Sequence, residues 1–127
     1  MATRRDSVRA SRGDLGRAGE TAAARYLERR GLVILERNLR SRLGEIDLLA
    51  RDGQTLVFVE VKARRAGGAH PWENLDQRKR LQVRRMASAW LAEAEHKYYA
   101  ALRFDAVAVV VDRDDRLVSL EHMEGAF

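Results

Sequence analysis

The chain has 127 residues, 24 Lys and Arg against 19 Asp and Glu, and no cysteine. That length suits one packed domain, and the missing cysteines exclude disulfides, thiolate catalysis and cysteine-ligated zinc. A net charge of +5 and a pI near 10.2 point to nucleic acid or another anionic surface as partner.

No run approaches the roughly 18 apolar residues of a membrane span. The basic start "MATRRDSVRASRG" is not followed by the apolar stretch of a secretory signal, so a cytoplasmic address and no membrane partner are expected. Residues 1–12 read as a flexible basic arm, with Arg4, Arg5, Arg9 and Arg12 against Asp6, and 13–127 as a single domain. "DLGRAGETAAARYLERRG" then predicts a helix. Gly13 or Asp14 caps it, Leu15, Ala18, Ala22 and Tyr26 form its apolar stripe, and Gly31 ends it.

"LVILERN" predicts a first strand, and "GEIDLLA" and "TLVFVEVKA" two more, joined at "RDGQ", where Asp-Gly marks a tight turn. "RRAGGAHPWEN", with the only proline, reads as a loop. "LDQRKRLQVRRMASAWLAEAEHK" predicts a second helix, whose residues 78–85 hold five cations and no acid. "LRFDAVAVVVD" is a buried strand and "RLVSLEH" a short last one. The expected fold is α/β, a mixed β-sheet flanked by helices in the order α-β-β-β-α-β-β. His70, His96 and His122 show no ligand spacing and read as surface residues. Trp90 reads as core, Trp72 as a loop anchor, and Arg103 with Asp105 as an internal ion pair.

The apolar strand "LVFVEVKARR" carries Glu60 and Lys62, charges that are costly to bury alone. A turn centred on Asp52 and Gly53 sets Arg51 opposite Gln54, Asp47 opposite Phe58 and Glu45 opposite Glu60. Glu45, Asp47, Glu60 and Lys62 then share one side of the sheet, with Asp47 and Glu60 diagonal neighbours roughly 7 Å apart at the backbone. Ile46, Leu48, Val57, Val59 and Val61 line the other side. Opposed acids repel one another, and a hard divalent cation turns that repulsion into attraction. Only three of the 24 cations are lysines, so a compact, titratable amine at Lys62 is a choice.

An acid, a spacer and E-x-K across a hairpin is the signature of the PD-(D/E)xK nuclease superfamily, which includes the archaeal Holliday-junction resolvases. "GRAGETAAARYLERRG", "ERNLRSRLGEIDLLARDG", "VFVEVKARR", Lys79 and "RFDAVAVV" together resemble the bacterial YraN-like family of uncharacterised, endonuclease-like proteins. The resemblance implies a restriction-endonuclease-like fold and hydrolysis of DNA phosphodiester bonds, with branched or recombination intermediates as candidate substrates. It implies Mg²⁺ or Mn²⁺ held by Asp47, Glu60 and Glu20, with Lys62 as the catalytic lysine and Glu20 completing the site from the first helix. Arg78, Lys79 and Arg80 would follow the nucleic-acid backbone. The usual proline before the first acid is absent, with Ile46 in its place. Relatives of the resolvase kind act as dimers, so a homodimer is an open expectation. Two competing functions stand beside this one: a nucleic-acid-binding module of the same fold without activity, and a scaffold whose basic helix binds a protein or an anionic membrane.

Overall fold

The computed structural model describes residues 11–68, 77–93 and 99–126. Helix α1 (Ser11–Arg29) is followed by β1 (Val33–Ser41), β2 (Gly44–Asp52) and β3 (Thr55–Arg65), then α2 (Gln77–Leu91), β4 (Ala101–Val111) and β5 (Leu117–Met123). The five strands form one sheet in chain order. β1, β2 and β3 run antiparallel, β4 lies parallel to β3, and β5 is antiparallel to β4. This is the expected mixed sheet with the expected element order. The first helix begins at Ser11, so Ser11 and Arg12 belong to it and not to the arm. The rest of the arm, together with His70, Trp72 and His96, lies outside the described residues.

Each helix covers one face of the sheet, and two apolar clusters result. Ala23, Ala24 and Leu27 of α1 pack on Leu48, Ala50, Val57, Val59, Val107 and Val109. Val83, Met86, Ala87 and Trp90 of α2 pack on Ile46, Leu49, Leu56, Phe58 and Phe104. Phe58 stacks on Phe104 at 5.6 Å and meets the Trp90 ring edge-on at 6.2 Å. Truncating Phe58 to alanine would cost about 3–5 kcal/mol. β4 is covered on both sides, which is why it reads as a nearly unbroken apolar run.

Two local features were legible in the sequence and two were not. Gly31, at a φ of 93°, ends α1 as predicted. Its N–H reaches the Glu28 carbonyl at 2.9 Å and the Leu32 N–H reaches the Leu27 carbonyl at 3.0 Å, so two carbonyls of the last turn are satisfied. Trp90 is a core residue. The β2–β3 turn, however, is Gly53–Gln54, with Asp52 paired to Thr55 and Leu48 to Val59. The expected register is therefore two residues off, and Leu49, not Asp47, faces Phe58. A slip of two preserves which side each residue takes. Ile46 breaks that pattern for a different reason: it packs with the α2 cluster while Leu48 packs with the α1 cluster, so β2 stops alternating between them.

Candidate active site

The β2–β3 ladder pairs run from the turn to Leu48 and Val59. One residue further along, the Asp47 carboxylate accepts the Val61 N–H at 2.7 Å, a bond that a strand carbonyl would otherwise have taken. At this opening a cleft of about 530 Å³ is lined by Leu15, Glu20, Asp47, Lys62, Ala63 and Arg64, among others. Glu20 comes from α1, Asp47 from β2 and Lys62 from β3. Helix α1 can lie this close because residue 19 is glycine: a Cβ there would meet the Ala63 Cβ at 2.6 Å.

Glu60 is buried at 6% exposure, with two lysines beside it. Lys62 Nζ lies 3.5 Å from Glu60 Oε2, and Lys79 Nζ of α2 lies 3.4 Å from Oε1. Oε1 nevertheless takes no hydrogen bond. Burial and the Glu60 charge push the Asp47 carboxyl up to about 7, with Glu20 adding to the rise and the Val61 N–H and Lys79 opposing it. Glu20 is raised as well, by burial first. The Asn38 amide and Arg37 oppose that rise, and Glu45 adds to it. Three acids thus act on one another in a partly dry site, and one of their oxygens, Glu60 Oε1, is left without a hydrogen bond. As the side chains stand, no three Asp, Glu or His among the described residues are gathered closely enough to hold a metal ion.

Of the residues singled out in the sequence, Glu20, Asp47 and Lys62 line one cleft and Glu60 adjoins them. Lys79 is turned inward to Glu60. Arg78 is exposed and lines a separate cleft with Leu43, Leu81, Gln82 and Arg85, while Arg80 is half-buried with its Nε unbonded. Glu45 stands off, 2.7 Å from Arg40 on the surface.

A second polar cluster holds β4, β5 and α1 together. The fully buried Asp105 accepts from Arg103 Nε at 2.9 Å and Nη2 at 3.0 Å, which is the expected ion pair. It also accepts from the Gly125 N–H at 3.1 Å and meets His122 Nε2 at 2.7 Å. His122 is not the surface residue that its isolation in sequence suggested. Its side chain is 5% exposed, and its Nδ1 lies 3.1 Å from the Tyr26 hydroxyl. A partner 96 positions away leaves no local signal.

The comparisons with known proteins bear on which protein this is. Residues 19–109 match the family described as "Uncharacterised protein family UPF0102". A UPF0102 protein of Pelotomaculum thermopropionicum is 49% identical over 116 residues, covering 89% of this chain and 94% of its own. One from Acidothermus cellulolyticus is 44% identical over 123 residues, covering 89% and 92%. One from Rhodococcus opacus is 43% identical over 114 residues, covering 89% and 95%. The chain belongs to the UPF0102 family, and the YraN-like resemblance stands as membership of it. No described helix is long and apolar enough to cross a membrane.

Proposed function

We propose that this protein is a Mg²⁺- or Mn²⁺-dependent nuclease of the PD-(D/E)xK kind, hydrolysing phosphodiester bonds in DNA. The observation that carries the reading is Glu60, a buried carboxylate with an unbonded Oε1 close to Asp47 and between two lysines. A buried carboxylate oxygen held only by an ion pair, with no hydrogen bond, is costly, and active sites are where such costs are retained. The donor set fits a hard divalent cation in chemical type, being all carboxylate oxygen. Asp47, Glu60 and Glu20 would hold it, with the ammonium groups of Lys62 and Lys79 now supplying the positive charge. Such an ion polarises a phosphate and offsets charge on the leaving oxygen.

The chain's own residues do the rest. Lys62 lines the cleft and keeps its ammonium 3.5 Å from Glu60 Oε2; from there it would hold a phosphate oxygen and orient the attacking water. Asp47, held near neutral protonation, must lose its proton to bind a cation, so burial and repulsion make the site ready for charge neutralisation. Exposed Arg78 and Arg85 supply a backbone-directed surface on α2. Cleavage of labelled single-stranded, duplex, flap and four-way-junction DNA with Mg²⁺ or Mn²⁺ tests this. Activity lost in both Asp47→Asn and Lys62→Ala supports the nuclease, and the preferred substrate names its class.

One observation favours a second reading, a binding module without activity. Both lysines already neutralise Glu60, and among the described residues no three acids are gathered closely enough for a cation. Salt-sensitive DNA binding by a folded protein that cuts nothing under any divalent ion would select this reading over the first.

A further inference from the structure

Asn38 lies in β1 with a φ of 55°. This left-handed conformation costs any residue with a Cβ, and asparagine tolerates it better than most. Two features coincide there. In the β1–β2 ladder Arg37 pairs with Leu48 and Leu39 with Ile46, so Asn38 stands at the step of Asp47. At this same step β2 stops alternating, Leu48 going to the α1 cluster and Ile46 to the α2 cluster. The side chain, meanwhile, crosses to the first helix. In the orientation that satisfies both ends of the amide, its nitrogen donates to the two Glu20 oxygens at 3.1 and 3.2 Å.

We propose that Asn38 is a positioning residue of the acid site, whose backbone sets where the Asp47 carboxylate emerges and whose amide aims Glu20 at the same cleft. The inference rests on the reading of Asp47 and Glu20 as ligands of a divalent cation. The residue type follows from the task. A neutral donor orients a carboxylate without cancelling its charge, whereas an arginine would compete with the cation for it. Aspartate would tolerate the backbone but bring a further negative charge and no donor. Glycine would adopt the backbone and leave Glu20 free to turn away. Strain kept in a strand beside crowded acids is the pattern expected where the geometry of a site is fixed in advance.

The experiment is a double-mutant cycle of Asn38→Gly and Glu20→Ala, read as Mn²⁺ affinity by electron paramagnetic resonance and as metal-free melting temperature. Glycine keeps the left-handed backbone, so Asn38→Gly isolates the amide. Its expected effect is a 10- to 100-fold loss of Mn²⁺ affinity in the native background. In the Glu20→Ala background the same change should alter affinity less than about twofold, because the amide acts through Glu20. Equal losses in both backgrounds would overturn the proposal. If the native protein binds no Mn²⁺, the cation reading falls by itself and the metal-free arm decides this one. There, a lower melting temperature on Asn38→Gly that disappears when Glu20 is alanine supports positioning. An identical drop in both backgrounds overturns it.

Discussion

The fully buried Asp105 and the half-buried Asp47 stand under opposite conditions. Asp105 has four donors on its two oxygens: two from Arg103, one from His122 and one from the Gly125 backbone. Among the described residues Asp47 accepts a single N–H, that of Val61, and Glu60 and Glu20 crowd in where donors would have been. The first arrangement is what burial of a charge requires for stability. The second is what a fold would avoid unless something other than stability were at stake. Charge count alone does not separate the two clusters; donor count does.

The contrast breaks most readily at Asp105. Asp105→Ala removes the shared partner of a half-buried arginine and a buried histidine side chain, and should cost about 3–5 kcal/mol by urea unfolding. An effect below about 1 kcal/mol would mean that the network is decoration. Asp47→Asn should do the reverse in metal-free protein. Its carboxyl is held at about 7 in the fold against an ordinary 3.8, so the native state binds the extra proton between those values. The resulting stability is fully present below about pH 4 and is lost as pH rises through about 7. At pH 8 the amide should therefore raise unfolding stability by about 1–3 kcal/mol, while at pH 4 the gain should vanish. A loss at pH 8 would show that Asp47 is as well provided as Asp105. For the same reason divalent-ion affinity should tighten with rising pH through about 7, visible in calorimetric titrations at pH 6 and 8.

Smaller effects sharpen the picture. Gly19→Ala gains helix propensity but drives a methyl to within 2.6 Å of the Ala63 Cβ. The net should be a loss of about 1–2 kcal/mol, with α1 and Glu20 displaced from β3, measurable by thermal unfolding and by weakened Mn²⁺ binding. At the low end, Arg40→Ala removes a surface pair with Glu45 and should shift stability by less than about 0.5 kcal/mol.

How far these two clusters could be foreseen differs with the distance of the partners. Elements and their order follow from periodicity, from the Gly31 stop and from the apolar run of β4. Arg103 and Asp105, two apart on one strand, could be paired from sequence alone. Glu60, Lys62 and Asp47 were found because a hairpin is a local object, even though its turn lies one residue beyond where Asp-Gly suggested. Periodicity could not reveal Ile46, which departs from alternation at the step of the left-handed Asn38. Nor could it reveal the amide of Asn38 on Glu20 or the hydroxyl of Tyr26 on His122. Those contacts exist only once α1 has been laid across the sheet, and nothing in the neighbouring residues encodes them.

The most direct test of an underprovided acid site is thermal unfolding at pH 8 with and without millimolar Mg²⁺ or Mn²⁺, in the native protein and in Asp47→Asn. Ligand at about 100 times its dissociation constant adds about 2.7 kcal/mol, a shift of several degrees. The account predicts that rise in the native protein and its near absence in the variant. Equal rises in both, or none in either, would contradict it and leave Asp47 and Glu60 as a costly feature of the fold with no cation to explain them.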